Sequence, residues 1–121
     1  MDDFFNSLLP LLLPDGLLVY FTLSNHMFDE ETLHIFLDEK NLVPDEYSGQ
    51  KILSKGFLEP VIIQDFPIRG RNVFLHIKRR RWLNLKTSKV VHRNRDLVAH
   101  GTRITKDFAA FLKEIGRYTS S

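Results

Sequence analysis

Residues 72–82 constrain the fold of this chain more than any other stretch. Val73, Leu75 and Ile77 alternate with Phe74 and His76, the period-two pattern of a half-buried β-strand. The alternation runs without a break into Lys78, Arg79, Arg80 and Arg81 and ends on Trp82, the chain's only tryptophan. On one continuous strand, Val73, Leu75 and Ile77 share a face with Arg79 and Arg81, while Phe74, His76, Lys78, Arg80 and Trp82 share the other. The apolar part is expected to anchor a hairpin in the core and the basic part to project beyond it as a stiff arm. Adjacent cations suit a polyanion better than a small substrate, because attraction to phosphate needs many charges and little pocket chemistry. Trp82 would stack on a base or brace the strand end.

Around this strand the sequence reads as a series of short elements. Leu8–Leu13 is an apolar cluster broken by Pro10 and Pro14, too short to span a bilayer. It has Asp2 and Asp3 where a secretory signal would carry positive charge. Residues 3–13 therefore read as a short helix packed on the core, ended by the turn Pro14-Asp15-Gly16. Residues 17–23, rich in β-formers, and 32–38, which alternate, read as an antiparallel pair joined through Asp29-Glu30-Glu31. Residues 39–50 read as a loop, 51–57 as a marginal strand interrupted by Gly56, and 59–66 as a better one. Pro67-Ile68-Arg69-Gly70 reads as a turn in which Gly70 takes positive φ. Beyond Trp82 a short hairpin through Lys86 and Lys89 is expected. Thr105 then caps a helix from Lys106 to Arg117 whose stripe of Ile104, Phe108, Phe111, Leu112 and Ile115 docks on the sheet.

The expected fold class is α+β: an antiparallel β-sheet of about four to five strands with a short N-terminal helix and a C-terminal amphipathic helix packed on it. At 121 residues the chain suits a single domain, 1–121. In it, 1–48 form an acidic helix plus hairpin and 49–121 a basic hairpin and the C-terminal helix.

The charge pattern is lopsided. Residues 1–60 carry three lysines against eleven acids, a net of −8, and residues 61–121 carry fourteen Lys and Arg against four acids, a net of +10. Such a split points the second half at nucleic acid, a membrane surface or an acidic partner, with the acidic half shielding the basic face or meeting a basic partner surface. Cysteine is absent, which excludes disulfides, thiol catalysis and cysteine-ligated zinc and fits a cytoplasmic protein. His26, His34, His76, His92 and His100 have no ligand spacing of a metal site. Asp38-Glu39, Asp45-Glu46 and Asp65 have no spacing that separates them from solvated acids, and no glycine-rich phosphate loop occurs. No catalytic, metal or cofactor site is expected. The candidate DNA-binding residues are Arg69 and Arg71 at the hairpin tip, Lys78, Arg79, Arg80, Arg81 and Trp82 on the strand end, and Lys86, Lys89, Arg93, Arg95 and Arg103 beyond it.

Three strings carry a resemblance to a known family. They are Ser54-Lys55-Gly56-Phe57, then Gln64-Asp65-Phe66-Pro67-Ile68-Arg69-Gly70-Arg71, then Leu75-His76-Ile77-Lys78-Arg79-Arg80-Arg81-Trp82. With the tail from Gly101 to Leu112, they resemble the N-terminal region of bacterial insertion-sequence transposases of the DDE group, in particular the small first-reading-frame product of Bacteroidetes insertion elements. The resemblance covers roughly residues 50–117. It implies a DNA-binding or assembly module for transposition, with double-stranded DNA at the element ends as partner and the catalytic acids on a separate domain or chain. That catalytic transposase chain and a second copy in a homodimer are further implied partners. In the larger group, cysteines after the Arg-Arg-aromatic segment help to hold zinc. Here Leu83-Asn84-Leu85-Lys86 follow Trp82, so the zinc is not carried over. A second expectation is a protein-interaction module that recruits the catalytic subunit, its cations meeting acidic protein.

Overall fold

The computed structural model describes residues 7–93 and 105–119. It is a mixed α+β structure whose described strands form two sheets. The large sheet has the order β1-β2-β5-β4, with β1 Phe21–Phe28, β2 Thr32–Glu39, β4 Val61–Ile68 and β5 Arg71–Lys78. The small sheet has the order β3-β6-β7, with β3 Ile52–Phe57, β6 Arg80–Asn84 and β7 Lys89–Val91. A short 3-10 turn, Leu9–Leu12, and a one-turn helix, Leu17–Tyr20, precede β1, and a C-terminal helix spans Lys106–Thr119.

The β1–β2 pair is antiparallel, as the alternation predicts, but β1 starts later than residue 17. Gly16 takes positive φ (76°) and the chain winds into one helical turn instead. The turn sets Leu17 and Phe21 four residues apart, on one side of a helix, and both enter the core at 0% and 2% exposure. An extended Leu17–Leu23 would set these two on the same face as Val19, which instead stands 57% exposed. The acidic hairpin and the basic hairpin are not separate. β2 pairs with β5 in parallel, with Ile35 opposite Leu75 and Leu37 opposite Ile77. This pairing inserts one parallel ladder into the antiparallel sheet expected from sequence. The inner face of the large sheet supplies Ile35, Leu37, Ile63, Val73, Leu75 and Ile77, and Leu13, Leu17 and Phe21 cover it.

The β4–β5 turn is tight: Arg69 and Gly70 both have positive φ, 53° and 81°, the pair that a two-residue type I′ hairpin requires. At the β1–β2 turn the Asp29 carboxylate accepts hydrogen bonds from the backbone N–H groups of Glu31 and Thr32 and from the Thr32 hydroxyl. These bonds hold its pKa below the ordinary 3.8.

The C-terminal helix begins where Thr105 predicts. The Thr105 hydroxyl accepts the Phe108 N–H at 3.3 Å and donates to the buried Asp65 carboxylate at 2.8 Å, a cap that also fastens the helix to β4. Its docking is narrower than the expected stripe. Phe108 is buried and, with Phe111, meets the Phe66 ring, yet Phe111, Leu112 and Ile115 remain 47%, 42% and 41% exposed. Ile104 lies outside the described residues.

Candidate nucleic-acid interface

The basic run does not form a projecting arm. β5 ends at Lys78 and β6 begins at Arg80 in the other sheet, so the chain changes sheet at Arg79. A buried carboxylate, Glu39 at the end of β2, directs the change. Its Oε1 accepts the Arg80 backbone N–H at 2.9 Å, and the Arg80 Nε donates to the Glu39 carbonyl at 3.1 Å. Arg80 also donates to the Ser54 hydroxyl and lies over the Phe57 ring at 4.6 Å. Arg93 donates to Glu39 Oε2 at 3.2 Å and to the Leu42 carbonyl, with its guanidinium over Tyr20. Arg80 and Arg93 are therefore struts holding the two sheets together, not free cations. At this junction the Arg93 guanidinium meets the Glu39 carboxylate, and the Arg80 guanidinium meets the Glu39 backbone carbonyl.

Other expected contacts move as well. Trp82 is fully buried and its indole N–H donates to Asn41 Oδ1 at 2.8 Å, so it braces the strand and presents no face to a base. Lys78 is half-buried with its amine 5.2 Å from the Phe57 ring centre. The Nε of Arg79 is buried without a hydrogen-bond partner among the described residues. Arg71 donates to the Asp29 carbonyl at 2.6 Å and stacks over Phe28. Arg69 and Arg71 sit at the start of β5, eight residues and roughly 25 Å of strand from the small sheet. The structure thus separates the hairpin tip from the strand end. Arg95 and Arg103 lie outside the described residues.

What remains together is the outward face of the small sheet. Trp82, Asn84, Ile52 and Ser54 turn inward, so alternation turns Arg81, Leu83, Leu53 and Lys55 outward. Leu53 pairs with Leu83 and Leu83 with Val90, which puts three apolar side chains in one row across all three strands. Lys55 and Arg81 lie to one side of that row. Lys51, whose carbonyl accepts the Leu85 N–H at 2.9 Å, lies to the other. The Asn84 side chain accepts the N–H groups of Lys86 and Thr87, and this turn holds Lys86 and Lys89 exposed at the end of the sheet. The side chains of Lys51, Lys55, Arg81, Lys86 and Lys89 have no ion-pair or hydrogen-bond partner among the described residues. Residues 47–58 and 80–93 contain no Asp or Glu, so nothing in these strands opposes that charge.

Lys51 and Lys55 are not among the candidates expected from sequence, where 51–57 is only a marginal strand. The absence of acids from 47 to 58 was the available signal. Two histidines far apart in sequence also meet: His34 Nδ1 and His76 Nε2 are 2.8 Å apart on the outer face of the large sheet, against Phe74 and Phe36. Burial and then the charge of His34 push the His76 pKa below the ordinary 6.5. Among the described residues no cluster of three His, Asp or Glu side chains could hold a metal ion, and no helix is long and apolar enough to cross a membrane. Comparison with protein-family models, curated proteins and solved structures finds no match to this chain.

Proposed function

We propose that this chain is a DNA-binding, non-catalytic module of an insertion-element transposase system, gripping element DNA with the outward face of its small sheet. The observation that carries the reading is a sheet built from two carboxylate-free segments, with Arg81, Lys51, Lys55, Lys86 and Lys89 unpaired among the described residues. A surface of one sign suits a polyanion. The acids that could have served phosphoryl chemistry have structural duties: Glu39 holds two arginines and Asp65 holds the helix cap.

Mobility shift on duplex carrying the terminal inverted repeats, against scrambled duplex, tests the reading. The pair Lys55→Ala with Arg81→Ala should weaken binding at least tenfold and leave the melting temperature unchanged, because neither side chain has a partner among the described residues. No duplex binding at low salt would reject it.

One observation favours a second role. Phe111, Leu112 and Ile115 form a half-exposed apolar stripe on the C-terminal helix, a surface suited to the catalytic transposase chain or to a second copy. Pull-down after nuclease treatment separates this from bridging by DNA.

A further inference from the structure

The arrangement of the small sheet's outward face carries more than its charge. The row Leu53, Leu83 and Val90 leaves Leu53 and Val90 54% and 46% exposed, with cations on both sides of it. Cationic side chains flank the row two residues away along the strands on each side: Lys55 and Arg81 one way, Lys51 the other, beside Leu85. At 3.3 Å per residue these flanks stand roughly 13 Å apart. The B-DNA major groove is about 12 Å wide. Three strands at 4.8 Å spacing make the apolar row about 10 Å long, room for about three base-pair steps at 3.4 Å. The outward face has no aromatic side chain, because Trp82 is turned inward, so it has no platform for unpaired bases.

We infer that the small sheet lies in the major groove of duplex DNA with its strands crossing the groove, its cations reaching both phosphate backbones and the row Leu53–Leu83–Val90 touching thymine C5-methyl groups. The inference rests on the DNA-binding reading and deepens it. The ligand is duplex, and its recognised steps carry thymine methyls, since a methyl is the one apolar feature that a base edge presents in that groove. Arg81 and Lys55 hold the sheet in place without reading sequence, and the leucine row selects.

The test enriches a random-sequence duplex pool by repeated binding to the full chain, then remakes the enriched duplex with uracil at every thymine. The substitution removes only the methyl groups and leaves charge and pairing intact. Affinity should fall at least about tenfold, the scale of about two buried methyls. Leu83→Ala should bring the thymine and uracil duplexes within about twofold of each other, and Val90→Ala, at an exposed site that folding does not need, should narrow the gap in the same direction. Arg81→Ala should weaken both duplexes equally. Equal binding of the thymine and uracil duplexes by the native chain would overturn the inference while leaving DNA binding intact. Tighter binding to the separated single strands would overturn it too. Failure to enrich any duplex, or binding only to an acidic peptide such as polyglutamate, would remove DNA binding itself and this inference with it.

Discussion

Glu39 decides the path of the chain at its most basic point. It is 2% exposed and satisfies a backbone N–H at the sheet crossing and the guanidinium of Arg93. Removing it leaves Arg93 partly buried without its anion and the Arg80 N–H without an acceptor. Glu39→Ala should cost about 3 kcal/mol, the scale for breaking one side of a buried pair, measurable as a shift in the urea midpoint. Arg81→Ala, at the very next residue after Arg80, should shift it by less than about 0.5 kcal/mol. His76 makes a different demand. Its pKa is lowered by burial and then by His34, so the folded state favours the neutral ring. The unfolded chain then binds more protons near and below pH 6.5. The stability tied to His76 is complete above that value and is lost as pH falls through it towards the lower folded pKa. Phe36 stacks on the ring, and Asp38 and Lys78 share the shallow hollow beside it. Melting curves between pH 7.5 and 5 should therefore slope downward with acidity, and His76→Phe, which keeps the stack, should flatten them. An unchanged slope would place the titration elsewhere.

At the scale of elements, strands were legible where one side chain in two was apolar, and their ends were legible where a turn residue stood. Thr105 announced the C-terminal helix, and Arg69-Gly70 announced the β4–β5 turn. Two features were not legible because they depend on residues far away in sequence. The parallel ladder between β2 and β5 joins Leu33–Asp38 to Val73–Lys78, and either strand has the same alternation whichever neighbour it takes. The break at Arg79 depends on a carboxylate forty residues earlier, while the local pattern runs on undisturbed through Trp82. The turn itself gives a prediction. Arg69 has φ 53°, where a residue with a Cβ pays about 1 kcal/mol relative to glycine and asparagine is better tolerated. Arg69→Asn makes the Asn-Gly pair that type I′ turns favour and should raise stability by about 0.5–1 kcal/mol. Because the tip lies at the far end of β5 from the small sheet, the same change should leave duplex affinity nearly unaltered. A clear loss of affinity would extend the DNA surface to the tip and enlarge the proposed footprint.

Across the whole molecule, the charge asymmetry of the sequence becomes an asymmetry between sheets. The large sheet mixes both halves of the chain and carries Asp38, Glu39 and Asp65 within its strands, whereas the small sheet is made only of carboxylate-free segments. In the sequence, eleven cations and Trp82 stand as candidate contacts, because nearness along the chain does not distinguish one cation from another. Packing divides them: Arg80 and Arg93 serve the fold, Arg69 and Arg71 sit at a distant tip, and Arg81, Lys86 and Lys89 join Lys51 and Lys55 as cations of the small sheet without a partner among the described residues. Counterion release turns that division into a number. Each phosphate contact on duplex DNA contributes about 0.9 to the slope of log affinity against log salt. Five contacts give a slope of about −4.5, whereas the full set of expected cations would give roughly −10. Lys51→Ala, Lys55→Ala and Arg81→Ala should each lower the slope by about one, and Arg93→Ala should not lower it at all, although it destabilises the fold. Anisotropy titrations of a labelled duplex across salt concentrations read these slopes directly. A slope well beyond −5 would mean that cations outside the small sheet also reach phosphate, and the confinement of DNA to that face would be wrong.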